Sequence, residues 1–236
     1  MIELTIFPPN LNCRSPSPFS MKAELLLKMA KLDYKIVHGG DPSKMPNGKF
    51  PVLQDGQKTI ADSHYIYKHM CEKYNVDLDA ELSDGQKAIA LAFTRLAEDH
   101  LYWVLVYSRW SDDDFKGVTD VFFKGIPWGI RQLIAHSVRK KAVAALYHQG
   151  ISRHEKAKIY ELGRQDIDAI ASQLSENSYF LGNDLSSVDA IIYSILAVIY
   201  KPELDTQLKR QVALHDNLVN YMTRIEDEFD FGQPTH

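Results

Sequence analysis

Cysteine is scarce in this chain: two residues in 236, Cys13 and Cys71. Two thiols cannot build the disulfide framework of a small secreted fold, and a reducing cytoplasm is the compartment they imply. Excess positive charge is missing too. The formal net charge is −4, so no overall field draws the chain to nucleic acid or to an anionic membrane. The short run Arg139-Lys140-Lys141 reads as a solvated helix face. Long apolar stretches are absent. The longest, residues 190–200, is interrupted by Ser194 and falls short of the roughly 20 residues a membrane span needs. It reads as a helix buried on most sides. The start, MIELTIF, lacks the basic region of a signal peptide. The nine histidines fall into no HExxH and no zinc spacing. Asp112-Asp113-Asp114 has no glycine-spaced calcium loop around it and reads as solvated loop. No metal is expected, and no internal repeat or low-complexity tract is visible.

Apolar residues make up 45% of the chain, enough for a large core. The first third is mixed. Residues 3–7 (ELTIF) and 34–38 (YKIVH) read as strands, with a helix over 17–31 between them. Asp55-Gly56 joins strands at 51–53 and 58–60 as a hairpin. A helix over 62–74 follows, with Ile66, His69 and Met70 on one face. Beyond Asn75 the periodicity is helical throughout, over 82–110, 118–149, 154–174, 189–200 and 204–229. The expected organisation is α/β plus all-α: residues 1–75, a linker over 76–84, and a helical domain over 85–236.

Three stretches could carry chemistry. In SPSPFS, Ser17 is placed to cap a helix and Pro18 to occupy its first position. Cysteines at 17 and 20 would make this a dithiol site, but both positions are serine. Capping alone explains the pattern. A helix N-terminus also stabilises an anion, including a thiolate brought by a ligand. In GKFPVL, Phe50-Pro51 enters a strand, and Pro51 is either an ordinary strand-starting residue or a cis one. Asp62-Ser63 opens the next helix, as a cap or as a receptor for an amino-acid head group.

Together and in this order, SPFS, GKFPVL and ADS resemble the glutathione transferase superfamily. LGNDLSSVDAII, with Ser186 and Asp189 as a capping box, resembles a mark of its helical domain. Within the superfamily, SPSPFSMKAELLLKMAKLDYKI, HLYWVLVYSRW and LYHQGISRH are similar to the failed-axon-connections and metaxin-like branch. The resemblance implies a thioredoxin-like domain followed by a helical one. It implies glutathione as co-substrate, a homodimer, and detoxifying alkyl or aryl transfer to a small apolar electrophile. It places Ser17 at the glutathione sulfur, Lys49, Phe50 and cis-Pro51 along the tripeptide, and Asp62 and Ser63 at its γ-glutamyl end. Phe19, Tyr102, Trp103 and Tyr107 would face the electrophile. Asp62 stands where glutamate is usual, and Ser20 where the branch often has cysteine. Phe7, not tyrosine, ends the first strand, which disfavours tyrosine activation. The alternative is a binding or interaction protein of the same fold without catalysis.

Overall fold

The computed structural model describes residues 1–39, 41–112, 118–119, 122 and 127–232. The first strand, β1 (Ile2–Ile6), buries Ile2, Leu4 and Ile6 on alternate positions, as a two-residue period demands. It pairs in parallel with β2 (Tyr34–His38) and antiparallel with β3 (Val52–Asp55), which turns into β4 (Lys58–Ala61). The sheet order is β2-β1-β3-β4. Leu4 lies opposite Ile36 and Leu53, and Leu53 opposite Ile60, so one apolar row crosses the sheet. The hairpin turn needs a left-handed residue, and Gly56 supplies it at φ 61°.

Helix α1 (Pro18–Met29) is capped by Ser17 and carries Pro18 in its first turn. It is buried nearly all round, Lys22 and Glu24 included. One side meets the N-terminal third and the other meets the longest apolar helix of the chain, so little of it is left to water. Helix α2 (Ser63–Tyr74) buries Ile66, His69 and Met70 and stops at Asn75 in the left-handed region, φ 53°.

Only helices follow among the described residues. Helix α3 (Asp84–Arg95) opens with a Ser83–Gln86 capping box. It runs through a π-helical segment (Leu96–Leu101) into α4 (Tyr102–Trp110). Helix α5 (Trp128–Gln149) starts after Pro127 and ends at Gly150, φ 112°. The expected helix over 118–149 falls partly outside the described residues, and its described part starts at 128. Then come α6 (Lys156–Leu174) and α7 (Ser187–Tyr200). The stretch 204–229 is two helices, α8 (Gln207–Ala213) and α9 (Asp216–Phe229), because His215 adopts an extended backbone.

Helix α7 is the axis of the helical half, with Val188 through Ile199 all buried. Its capping box forms as the S-x-x-D pattern predicts. The Asp189 carboxylate accepts from the Ser186 N–H and hydroxyl, from the Phe180 N–H and from the Tyr221 hydroxyl, at 2.8–2.9 Å. Such full satisfaction lets a carboxylate stay buried. No described helix is long and apolar enough to cross a membrane.

Candidate functional site

A cleft of about 170 Å³ opens on the N-terminal third. Phe19, Asn47, Lys49, Phe50, Pro51, Asp62 and Ser63 line it. Residues 47–51 come from the loop entering β3, residues 62–63 from the start of α2, and Phe19 from the first turn of α1. Folding thus brings Lys49, Phe50, Pro51, Asp62 and Ser63 to one place, although the first three and last two are separated by a whole hairpin. The Phe50–Pro51 peptide bond is cis. Phe50 is buried, its ring edge-on to Phe7 at 4.8 Å. No hydrogen bond among the described residues uses the Phe50 backbone N–H or C=O.

Asp62 has φ 81° and ψ 133°, a region in which L-residues carry strain. Its Oδ1 accepts from the His64 N–H at 2.8 Å, capping α2, and its side chain is exposed. Lys49 is exposed and Ser63 is buried. The cleft therefore offers a cation and a carboxylate beside a helix N-terminus. That pattern suits a zwitterionic, peptide-like ligand.

Ser17 is not among the residues lining the cleft; it caps α1 two residues before Phe19, which is. Its Oγ accepts from the Ser20 N–H at 3.4 Å, which leaves the hydroxyl proton free to donate. Ser20 is fully buried and its own Oγ has no partner. Of the four residues expected at an electrophile, Phe19 and Tyr102 meet edge to face at 4.9 Å, and Tyr102 meets Trp103 at 5.6 Å. Tyr107 is not with them; its ring packs on Tyr160 of α6 at 6.1 Å.

Asp112 departs from its expected place, while Cys13 and His100 are not among the residues lining the cleft. Cys13 is buried and its Sγ lies 3.7 Å from the Ala197 carbonyl. Burial pushes its thiol up to about 11, so it is no competing thiolate at neutral pH. Asp112 is not solvated loop: it is buried, Tyr160 donates to it at 2.5 Å, and Lys156 is ion-paired with it. Asp113 and Asp114 lie outside the described residues. His100 is part-exposed and hydrogen-bonded to Asp166 at 2.6 Å. No metal-binding cluster occurs among the described residues.

Sequence reasoning passed over Asn47 and Arg109. Asn47 lines the cleft from a Pro-Asn-Gly turn that reads only as punctuation. Arg109 is buried in α4, and the signal for it was a charge inside the apolar pattern VLVYSRW.

The glutathione S-transferase N-terminal domain model matches residues 18–115, and the C-terminal domain model matches residues 163–225. The isoprene-epoxide–glutathione S-transferase of Rhodococcus sp. (strain AD45) is 32% identical over 189 residues, covering 78% of this chain and 79% of its own. The chain belongs to the glutathione transferase superfamily. Failed axon connections of Drosophila melanogaster is 24% identical, covering 91% of this chain and 54% of its own. Metaxin-1 of Sus scrofa is 28% identical, covering 78% and 61%. The chain thus spans little more than half the length of these two relatives. The crystal structure of a Ceriporiopsis subvermispora glutathione S-transferase in complex with glutathione superposes over 100% of this chain and 98% of its own, with a TM-score of 0.67 at 18% identity. The glutathione transferase fold expected from the sequence is the fold observed.

Proposed function

We propose that this member of the superfamily binds glutathione in the cleft and transfers it to a small apolar electrophile. The observation that carries the reading is the convergence of Lys49, Phe50, Pro51, Asp62 and Ser63 on one cleft, beside the capped N-terminus of α1. Lys49 pairs with the glycyl carboxylate, the free Phe50 backbone with the cysteinyl peptide, and Asp62 with the γ-glutamyl ammonium. Ser63 and the first N–H groups of α2 take the γ-glutamyl carboxylate.

The Ser17 hydroxyl donates to the sulfur, and the α1 terminus favours its anionic form. A hydrogen bond and a helix end together lower a thiol of ordinary pKa about 8.5 by roughly one to two units. The thiolate then attacks carbon. An epoxide is the first electrophile to test, because the relative at 32% identity is named for one. There the S–C bond forms as the C–O bond breaks, and the alkoxide takes a proton from solvent. Two serines cannot form a mixed disulfide, so conjugation fits this site better than thiol–disulfide exchange. Phe19, Tyr102 and Trp103 supply the apolar wall for the electrophile. A cytoplasmic homodimer completes the proposal. Exposed Tyr65, Leu91, Trp128 and Leu133 fit a second copy, and an elution mass of one 26.9 kDa chain would remove that part.

Calorimetric titration with reduced glutathione, followed by conjugation assays with small epoxides, tests the reading. Saturable binding and turnover that Ser17→Ala lowers at least tenfold are expected. A second reading, binding or interaction without catalysis, is favoured by Asp62. Its side chain is one methylene shorter than glutamate, and one of its oxygens already caps α2. Absence of glutathione binding would leave only that reading.

A further inference from the structure

Behind the loop that carries Ser17 lies a buried cation that the glutathione contacts do not use. Arg109 stands in the last turn of α4 and is 8% exposed. Its Nη1 donates to the Pro16 carbonyl at 2.9 Å, and its Nη2 to the Val198 carbonyl at 2.7 Å. Pro16 directly precedes Ser17. Val198 belongs to the last turn of α7, where carbonyls have no helical partner. One side chain therefore ties the Ser17 loop to two helices of the other half of the molecule.

The charge of Arg109 is not matched by an acid among the described residues. The titratable groups acting on it are Cys13 and Tyr102. Both are neutral at pH 7, because burial raises the thiol to about 11 and lifts the phenol further above its ordinary value. Beyond Cys13, Lys201 and Glu226 pair with each other at 2.8 Å. The buried acids Glu24, Glu98 and Asp112 are ion-paired with Arg14, Lys22 and Lys156. The end of α7 contributes partial negative charge only. Burial lowers the Arg109 guanidinium to about 10, which still leaves it protonated at neutral pH. A cation so shielded from water projects its field further than an exposed one. The charged groups that line the cleft, Lys49 and Asp62, are exposed and screened.

We propose that Arg109 is a positioning residue for thiol activation: it fixes the Ser17 loop from the helical half and sets a positive charge, unmatched by an acid among the described residues, behind the bound thiolate. This rests on the glutathione reading above and adds to it a residue outside the cleft.

The test is a titration of bound glutathione by its thiolate absorbance, with kcat and KM, in the unaltered protein, Arg109→Lys and Arg109→Gln. Glutamine keeps a donor for a carbonyl but removes the charge; lysine keeps the charge. The expected result for Arg109→Gln is a thiol pKa raised by about one unit. Its kcat should fall about tenfold at neutral pH, with a smaller change in KM. Arg109→Lys should return the pKa to the original value. One thiol pKa shared by all three proteins would overturn the proposal and leave Arg109 a staple. Should Arg109→Gln fail to fold, Cys13→Asp decides. It sets a carboxylate beside the guanidinium with the staple intact; a raised thiol pKa supports the proposal and an unmoved one overturns it. Failure of the unaltered protein to bind glutathione would overturn both readings. Binding with a pKa indifferent to Arg109 would overturn this one alone.

Discussion

The rim of the cleft and the layer beneath it are built by opposite rules. The rim is local: Lys49, Phe50 and Pro51 are consecutive, Asp62 and Ser63 are consecutive, and Lys49 and Asp62 are exposed. The layer beneath is long-range and buried. Lys22 of α1 meets Glu98 of the π-helical segment at 2.7 Å across 76 residues, and Arg109 meets Pro16 across 93. The exposed rim residue Lys49 can be exchanged with little loss of fold, because water already solvates it; Phe50, Pro51 and Ser63 are buried. Residues beneath hold charges out of water, and each depends on a few distant partners. Recognition is thus written on the surface, while the alignment of the two halves is written in buried polar contacts. Glutathione binding and folding should respond to different substitutions.

The largest expected effect tests the buried layer. Glu98→Gln leaves the Lys22 ammonium buried with no carboxylate, in a pair whose side chains are 7% and 8% exposed. A loss of about 3–5 kcal/mol in unfolding free energy is expected, since breaking one partner of a buried pair strands the other. The double variant Lys22→Met, Glu98→Leu should recover most of it. Denaturant unfolding of the three variants measures both. A Glu98→Gln protein as stable as the original would abolish the distinction between layers.

A smaller effect separates contacts between the halves from burial as such. Asp55 is buried within the N-terminal third, and its Oδ2 receives His69 at 2.8 Å, Lys73 at 2.6 Å and the Tyr74 hydroxyl at 2.9 Å. Burial alone would raise its carboxyl. The hydrogen bonds from Lys73, His69 and Tyr74, with the charge of Lys73, outweigh burial and hold it well below the ordinary carboxylate range. A carboxyl depressed in the folded state adds stability that is fully present above its unfolded pKa of about 3.9. That stability is lost as pH falls toward the folded value. Asp55→Asn should cost about 2 kcal/mol at pH 7 and flatten the acid limb of stability below about pH 4. Thermal midpoints from pH 7 down to 3 measure it. An unchanged acid limb would mean that the buried layer draws its strength from joining the two halves.

How much of this was legible follows the same division. The strand alternation of residues 3–7, the Asp55-Gly56 turn and the Ser186–Asp189 box are short-range signals, and each element appears at or within a residue of its pattern, the first strand closing at Ile6 rather than Phe7. Both groups of cleft residues came from the resemblance carried by GKFPVL and ADS, and the structure brings them to one cleft. The break at His215 was not, because Leu204 to Phe229 keeps a helical apolar rhythm through it. Asp112 was read as solvated, because its partners Lys156 and Tyr160 lie 44 and 48 residues on. Arg109 was missed because its meaning depends on Pro16 and Val198. Tyr107 was grouped with Tyr102 and Trp103 as a neighbour in sequence, and the packing of α4 against α6 sets its ring on Tyr160.

The smallest structural effect should accompany a clear functional one. Lys49 is exposed on the loop before β3 and makes no ion pair among the described residues. Lys49→Ala should therefore shift the thermal midpoint by no more than about 2 °C. On the glutathione reading it removes the cation facing the glycyl carboxylate, so the dissociation constant should rise about tenfold. The loss should shrink as salt is raised, because an exposed cation acts through screened solvent. Calorimetric titration at two ionic strengths, beside the unaltered protein, measures this. If Lys49→Ala destabilised the fold, or if affinity stayed whole, the rim would not be a recognition surface separable from the scaffold. The reverse pattern in Glu98→Gln, a large loss of stability with affinity kept in the remaining folded protein, would complete the separation.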